Sequence, residues 1–174
     1  MALLRGINVG GNSLIKMDDL KKEFENAGFQ NVKTYIQSGN VIFESGIADA
    51  GKIARKIEDF LAKNYHIETR SLVLTSGELR TIVDEAPAAW KNRDGLRCYV
   101  SFLLDGVKPP DVIKEIKLKE GVDSVTGGKG VVYMTTLLSG ITKSGFTKLI
   151  AKPVYKKITM RNFKTVQKML ELVT

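Results

Sequence analysis

At 174 residues, with 43% hydrophobic side chains, the chain is long enough to bury one full core or two small ones. No apolar run reaches membrane-spanning length, and the opening residues lack the basic, apolar and cleavage regions of a signal peptide, so a soluble cytoplasmic protein without membrane partners is expected. The net charge of +8 is uneven: residues 124–170 hold nine Lys or Arg and no Asp or Glu, a bias that favours an anionic partner, either a small molecule or nucleic acid.

Residues 2–7 form an apolar first strand, which opens into a loop rich in Gly, Asn and Ser. Met17, Leu20, Phe24 and Ala27 then recur at helical spacing, and Gly28 supplies a left-handed stop with Phe29 placed to fold back on the last turn. The runs 32–37 and 41–44 read as strands joined by the tight turn at Ser38, Gly39 and Asn40. A second helix over about 50–64 turns Ile53, Ile57, Phe60 and Leu61 inward, and 67–74 reads as a fourth strand. Thr75 and Glu78 have the spacing of a capping box and start a short helix that Pro87 ends. The order β-α-β-β-α-β is the split βαβ arrangement of ferredoxin-like domains.

Residues 87–95 read as a linker, after which the pattern begins again. A strand over 96–104 leads to a helix opened by Pro109 and Pro110, then to a hairpin of 122–126 and 131–135. A helix near 143–151, a short strand near 154–158 and a final helix capped by Thr159 complete the order. Two ferredoxin-like subdomains follow, 1–86 with an extra helix and 96–174, each an antiparallel sheet with helices on one face, in the α+β class.

In a split βαβ the ends of the first two strands and the starts of the last two share one edge of the sheet. That edge gathers Arg5, Gly6, Asn8, Gly10 and Gly11 from the first loop, Gln37, Ser38 and Asn40 from the turn, and His66, Glu68 and Arg70 near the fourth strand. Amides, a guanidinium and glycine N–H groups suit a phosphate or carboxylate. Arg161 and Asn162, read at the start of the last helix, are candidates to close the same site. The first loop fits G-x-x-x-x-G-K-[ST] from Gly6 to Ser13 except that Asn12 replaces the lysine, which argues against a nucleoside-triphosphate loop.

Other chemistry is thinly represented. One His and one Cys exclude zinc sites built from those ligands, and no cofactor or metal is expected. Cys98 sits in a strand-like run and reads as a buried, inert thiol. A small enzyme would have to use Ser38 or His66 with Arg5 stabilising charge. A nucleic-acid binder would work through the lysines of 143–168 by phosphate contact, since the strand aromatics of RNA-recognition modules are missing.

The segments Ala2-Leu3-Leu4-Arg5-Gly6-Ile7-Asn8-Val9-Gly10-Gly11 and Thr34-Tyr35-Ile36-Gln37-Ser38-Gly39-Asn40-Val41, with residues 159–162, Thr165 and Val166, resemble the uncharacterised bacterial family catalogued as domain of unknown function 1697. The resemblance spans essentially the whole chain. It implies a pair of ferredoxin-like subdomains and assigns no activity, substrate or cofactor.

Overall fold

The computed structural model describes residues 1–9, 14–104 and 106–173. Two compact units are present, one made of Met1–Glu78 with Met169–Thr174 and the other of Leu79–Lys168.

The first unit runs β1 (Ala2–Leu4), α1 (Met17–Asn26), β2 (Gln30–Tyr35), β3 (Asn40–Glu44), α2 (Ala50–Tyr65) and β4 (Ser71–Val73). Its sheet has the order β2-β3-β1-β4, with every neighbouring pair antiparallel, as the split βαβ connection requires. Leu20 and Phe24 from α1 and Ile53, Ile57 and Leu61 from α2 bury against Ala2, Leu4 and Val41. Four phenylalanines, Phe24, Phe29, Phe43 and Phe60, gather beside them with ring centroids 4.6 to 5.4 Å apart. The stop of α1 is as its sequence predicts: Gly28 has φ 86°, the Phe29 N–H reaches the Phe24 carbonyl at 3.1 Å, and the two rings meet. The fourth strand is shorter than predicted, because α2 ends on the left-handed His66 and pairing begins only near Arg70.

The capping box of α3 (Ser76–Asp84) is present in both directions: Glu78 accepts the Thr75 N–H at 2.8 Å, and Thr75 Oγ1 accepts the Glu78 N–H at 3.2 Å. The boundary between the units falls inside this helix, before the stretch 87–95 read as a linker. That stretch is structured within the second unit. Ala88–Lys91 forms a 3-10 turn, and Trp90 is buried against Tyr133 and Phe163 with its indole N–H 2.8 Å from Thr135 Oγ1.

The second unit continues with β5 (Leu96–Leu103), α4 (Pro109–Ile113), β6 (Asp123–Gly128), β7 (Val131–Leu137) and β8 (Ile158–Asn162). Its sheet order, β6-β7-β5-β8, repeats that of the first unit. Val131, Val132, Tyr133 and Met134 are all buried, so β7 is covered on both faces. Val132 and Met134 join the core beneath α4, while the Tyr133 hydroxyl donates to the Ile82 carbonyl of α3 at 2.8 Å.

Two predicted elements are replaced. Between β7 and β8 the chain forms three 3-10 stretches, Leu138–Lys143, Gly145–Ala151 and Pro153–Lys157, in place of one helix, and β8 begins only at Ile158. The cause is local. Ser144 and Pro153 interrupt the run, and Gly145 passes so close to the Lys117 carbonyl that any added Cβ would collide with it. Thr159 and Arg161 are strand residues, and α5 (Phe163–Val173) is capped by Asn162, whose Oδ1 accepts the Lys164 N–H at 2.9 Å.

Candidate functional site

The edge of the first sheet assembles as the topology predicts. Leu3 is paired with Asn40 and Leu4 with Ser71, so the segments following β1 and β2 and preceding β3 and β4 meet at one end. Two backbone bonds extend the pairing beyond the strands: the Leu4 N–H donates to the Gly39 carbonyl at 2.8 Å, and the Arg5 N–H to the Arg70 carbonyl at 2.9 Å. Thr69 Oγ1 donates to the Arg5 carbonyl at 2.7 Å. Arg5, Gly6, Asn8, Gln37, Ser38 and Asn40 therefore share this edge. Gly10 and Gly11, with Asn12 and Ser13, lie outside the described residues.

The two asparagines have structural partners. Asn8, itself left-handed at φ 55°, accepts the Ile15 N–H at 2.8 Å and donates to the carbonyls of Ile15 and Gln37 at 2.9 and 3.0 Å. One side chain thus closes the base of the first loop and ties it to the turn. Asn40 is fully buried and donates from Nδ2 to the Tyr35 carbonyl at 3.0 Å and to Ser38 Oγ at 2.9 Å. These amides fix the edge, Asn40 from inside it and Asn8 from a half-buried position. Gly39 is required by approach as well as by its φ of 69°, since an added Cβ would stand 2.8 Å from the Leu4 Cβ. Gly6 is required by its φ of 71° alone.

What the edge presents outward is mixed. Gly6 and Gln37 are exposed, Arg5 and Ser38 are half-buried, and Arg70 is exposed with its guanidinium 3.8 Å from Glu58. Sequence reading missed an apolar component: Val9, Leu14 and Ile36 are all exposed. Ile36 also has a φ of 50°, a conformation that β-branched residues rarely adopt. No periodicity signals either property.

Arg161 and Asn162 belong to the second unit. Arg161 is buried and donates to Thr159 Oγ1 and to the Met160 carbonyl, both at 2.9 Å, and burial pushes its guanidinium down to about 10. Asn162 lines a polar cavity of about 430 Å³ with Lys91, Arg93 and Lys164. His66 is an exposed helix cap. Cys98 is buried, and burial raises its thiol against the opposing charge of Arg93. Among the described residues, no group of three or more His, Cys, Asp or Glu side chains could hold a metal ion, and no helix is long and apolar enough to cross a membrane.

The fold is found in a solved structure. The conserved bacterial protein SP0830 from Streptococcus pneumoniae superposes with a TM-score of 0.84 at 30% sequence identity, covering 99% of this chain and 97% of that one. No curated protein matches the sequence. Residues 1–150 match the family described as "Protein of unknown function (DUF1697)", which takes in the loop and the turn that build the edge, and the chain belongs to that family.

Proposed function

We propose that the protein binds a phosphate-bearing or otherwise anionic small ligand at the edge of the first sheet. The observation that carries this reading is the juxtaposition of Arg5 and Arg70. Their backbones are hydrogen-bonded across the ends of β1 and β4, so two guanidinium-bearing residues occupy neighbouring positions beside an exposed glycine. Arg70 already stands beside Glu58, and two guanidinium groups at neighbouring cross-strand positions offer a shared anion forked donors from both sides. Gln37 and Ser38 supply polar groups from the adjoining turn. Asn8 and Asn40 hold the frame without touching the ligand.

Ser38 Oγ accepts a hydrogen bond from the Asn40 amide, which ties it to the frame of the edge and suits a binding role. A second reading rests on Lys143, Lys148, Lys156 and Lys157, which are exposed and without ion pairs among the described residues. Such a surface would take nucleic acid by phosphate contact, with affinity falling steeply as salt rises.

A thermal-shift screen of nucleotides, sugar phosphates and organic acids tests the first reading. A phosphate-bearing compound should raise the melting temperature of the wild type, and Arg5→Ala should lose that shift while its circular dichroism shows that it is folded. Retention of the shift by Arg5→Ala would overturn the assignment of the edge. Binding of an oligonucleotide that weakens steeply with salt, with no small-ligand shift, would favour the lysine surface instead.

A further inference from the structure

The 3-10 wall that replaces a helix in the second unit borders a half-open cavity of about 320 Å³. Its floor is the sheet, with Tyr99 of β5 and Met160 of β8 on the face that also carries the core residue Leu103. Its wall is Gly145–Ala151 and Pro153–Lys157, which contribute Phe146, Ile150 and Tyr155. The volume lies at the small end of the range of about 300–1,000 Å³ typical of ligand pockets.

Most polar groups around this cavity already have partners. Ser144 Oγ donates to Asp123 at 2.7 Å, Thr136 Oγ1 donates to the same carboxylate at 3.1 Å, and Thr147 Oγ1 donates to the Ser144 carbonyl at 3.0 Å. These hydroxyls leave an aromatic and aliphatic lining. Arg97 is different. It stands on β5 two residues before Tyr99, hence on the same face, and among the described residues no carboxylate pairs with its exposed guanidinium. A planar guanidinium beside an aromatic pocket matches a carboxylate carried on an apolar body.

The wall is built before any ligand arrives. Asp123 accepts the Gly145 N–H at 2.7 Å and the Lys119 N–H at 3.0 Å, which fixes the start of the second 3-10 stretch. At Gly140, an added Cβ would come within 2.6 Å of Val122, so the first stretch is equally confined. A preformed cavity spares the ligand the cost of ordering its site.

We propose that this cavity binds a small carboxylic acid with an aromatic or branched aliphatic body. The body lies among Tyr99, Phe146 and Tyr155, and the carboxylate meets Arg97. The exposed lysines of the same wall add a positive field that speeds the encounter. This site shares no residue with the edge of the first sheet and stands independently of it.

Phenylacetate is the probe, titrated into the labelled protein and followed by amide NMR, with phenylacetamide, inorganic phosphate and a single-stranded oligonucleotide as comparisons. Phenylacetate should shift the resonances of Arg97, Phe146 and Ile150. Its affinity should fall about tenfold or more in Arg97→Gln, an exposed substitution, and phenylacetamide should bind the wild type more weakly than phenylacetate by a similar factor. Ile150→Glu, at a position 65% exposed, should also weaken it, and Arg5→Ala should not. Equal binding of acid and amide, unchanged affinity in Arg97→Gln, or the same resonances shifted by phosphate or oligonucleotide but not by phenylacetate would each overturn the proposal.

Discussion

At the scale of single residues, the edge of the first sheet separates side chains that build from side chains that face outward. The sequence placed Arg5, Asn8, Gln37, Ser38 and Asn40 together because strand order alone determines which strand ends meet. It could not say which of them were already occupied, since an Asn in a turn has the same letter whether its amide serves a ligand or a carbonyl. Asn40 serves Tyr35 and Ser38 from a fully buried position. Asn40→Ala is therefore expected to lose about 1–3 kcal/mol of stability in urea unfolding, because a buried carbonyl is left without its donor. An unchanged midpoint would show that these two hydrogen bonds contribute no net stability. Arg5→Ala is diagnosed by a different readout, the loss of the ligand response.

At the scale of elements, strong periodicity was legible and its interruptions were not. Leu20, Phe24, Ile53, Ile57 and Leu61 fall at helical spacing and form the core that their spacing predicts. The stretch after β7 has apolar residues enough for a helix, yet the extended backbone of Ser144 breaks it, and Gly145 is held against Lys117, distant in sequence. Asp123 anchors the result. Partial burial raises its carboxyl, but hydrogen bonds from the Lys119 N–H, Ser144, the Gly145 N–H and Thr136 outweigh that and hold it below its ordinary value of 3.8. A carboxyl depressed in the folded state adds stability that is present above its unfolded pKa and is lost as pH falls through the folded one. Stability should accordingly decline below about pH 4, and Asp123→Asn should lower stability at neutral pH while flattening part of that acid decline in pH-dependent urea unfolding. An unaltered acid limb would show that other carboxyls govern it.

At the scale of the whole molecule, the repeat of sheet order in β2-β3-β1-β4 and β6-β7-β5-β8 was readable from the order of elements, without any repeat of sequence. The boundary was not, because a largely polar stretch opened by Pro87 and closed by Gly95 looks like a linker even when it carries the buried Trp90. The first unit instead includes Met169–Thr174, and Met169 is fully buried. Truncation before Met169 is thus expected to reduce amide protection in the first sheet, although the residues removed lie at the far end of the chain, as hydrogen exchange would show. Full protection of β1 and β3 after truncation would contradict that assignment. The same membership sets an order of events during synthesis. Domains generally fold as they emerge, amino-terminal first. Here the unit translated first is completed by Met169–Thr174, so its final piece is missing until the whole second unit has been synthesised.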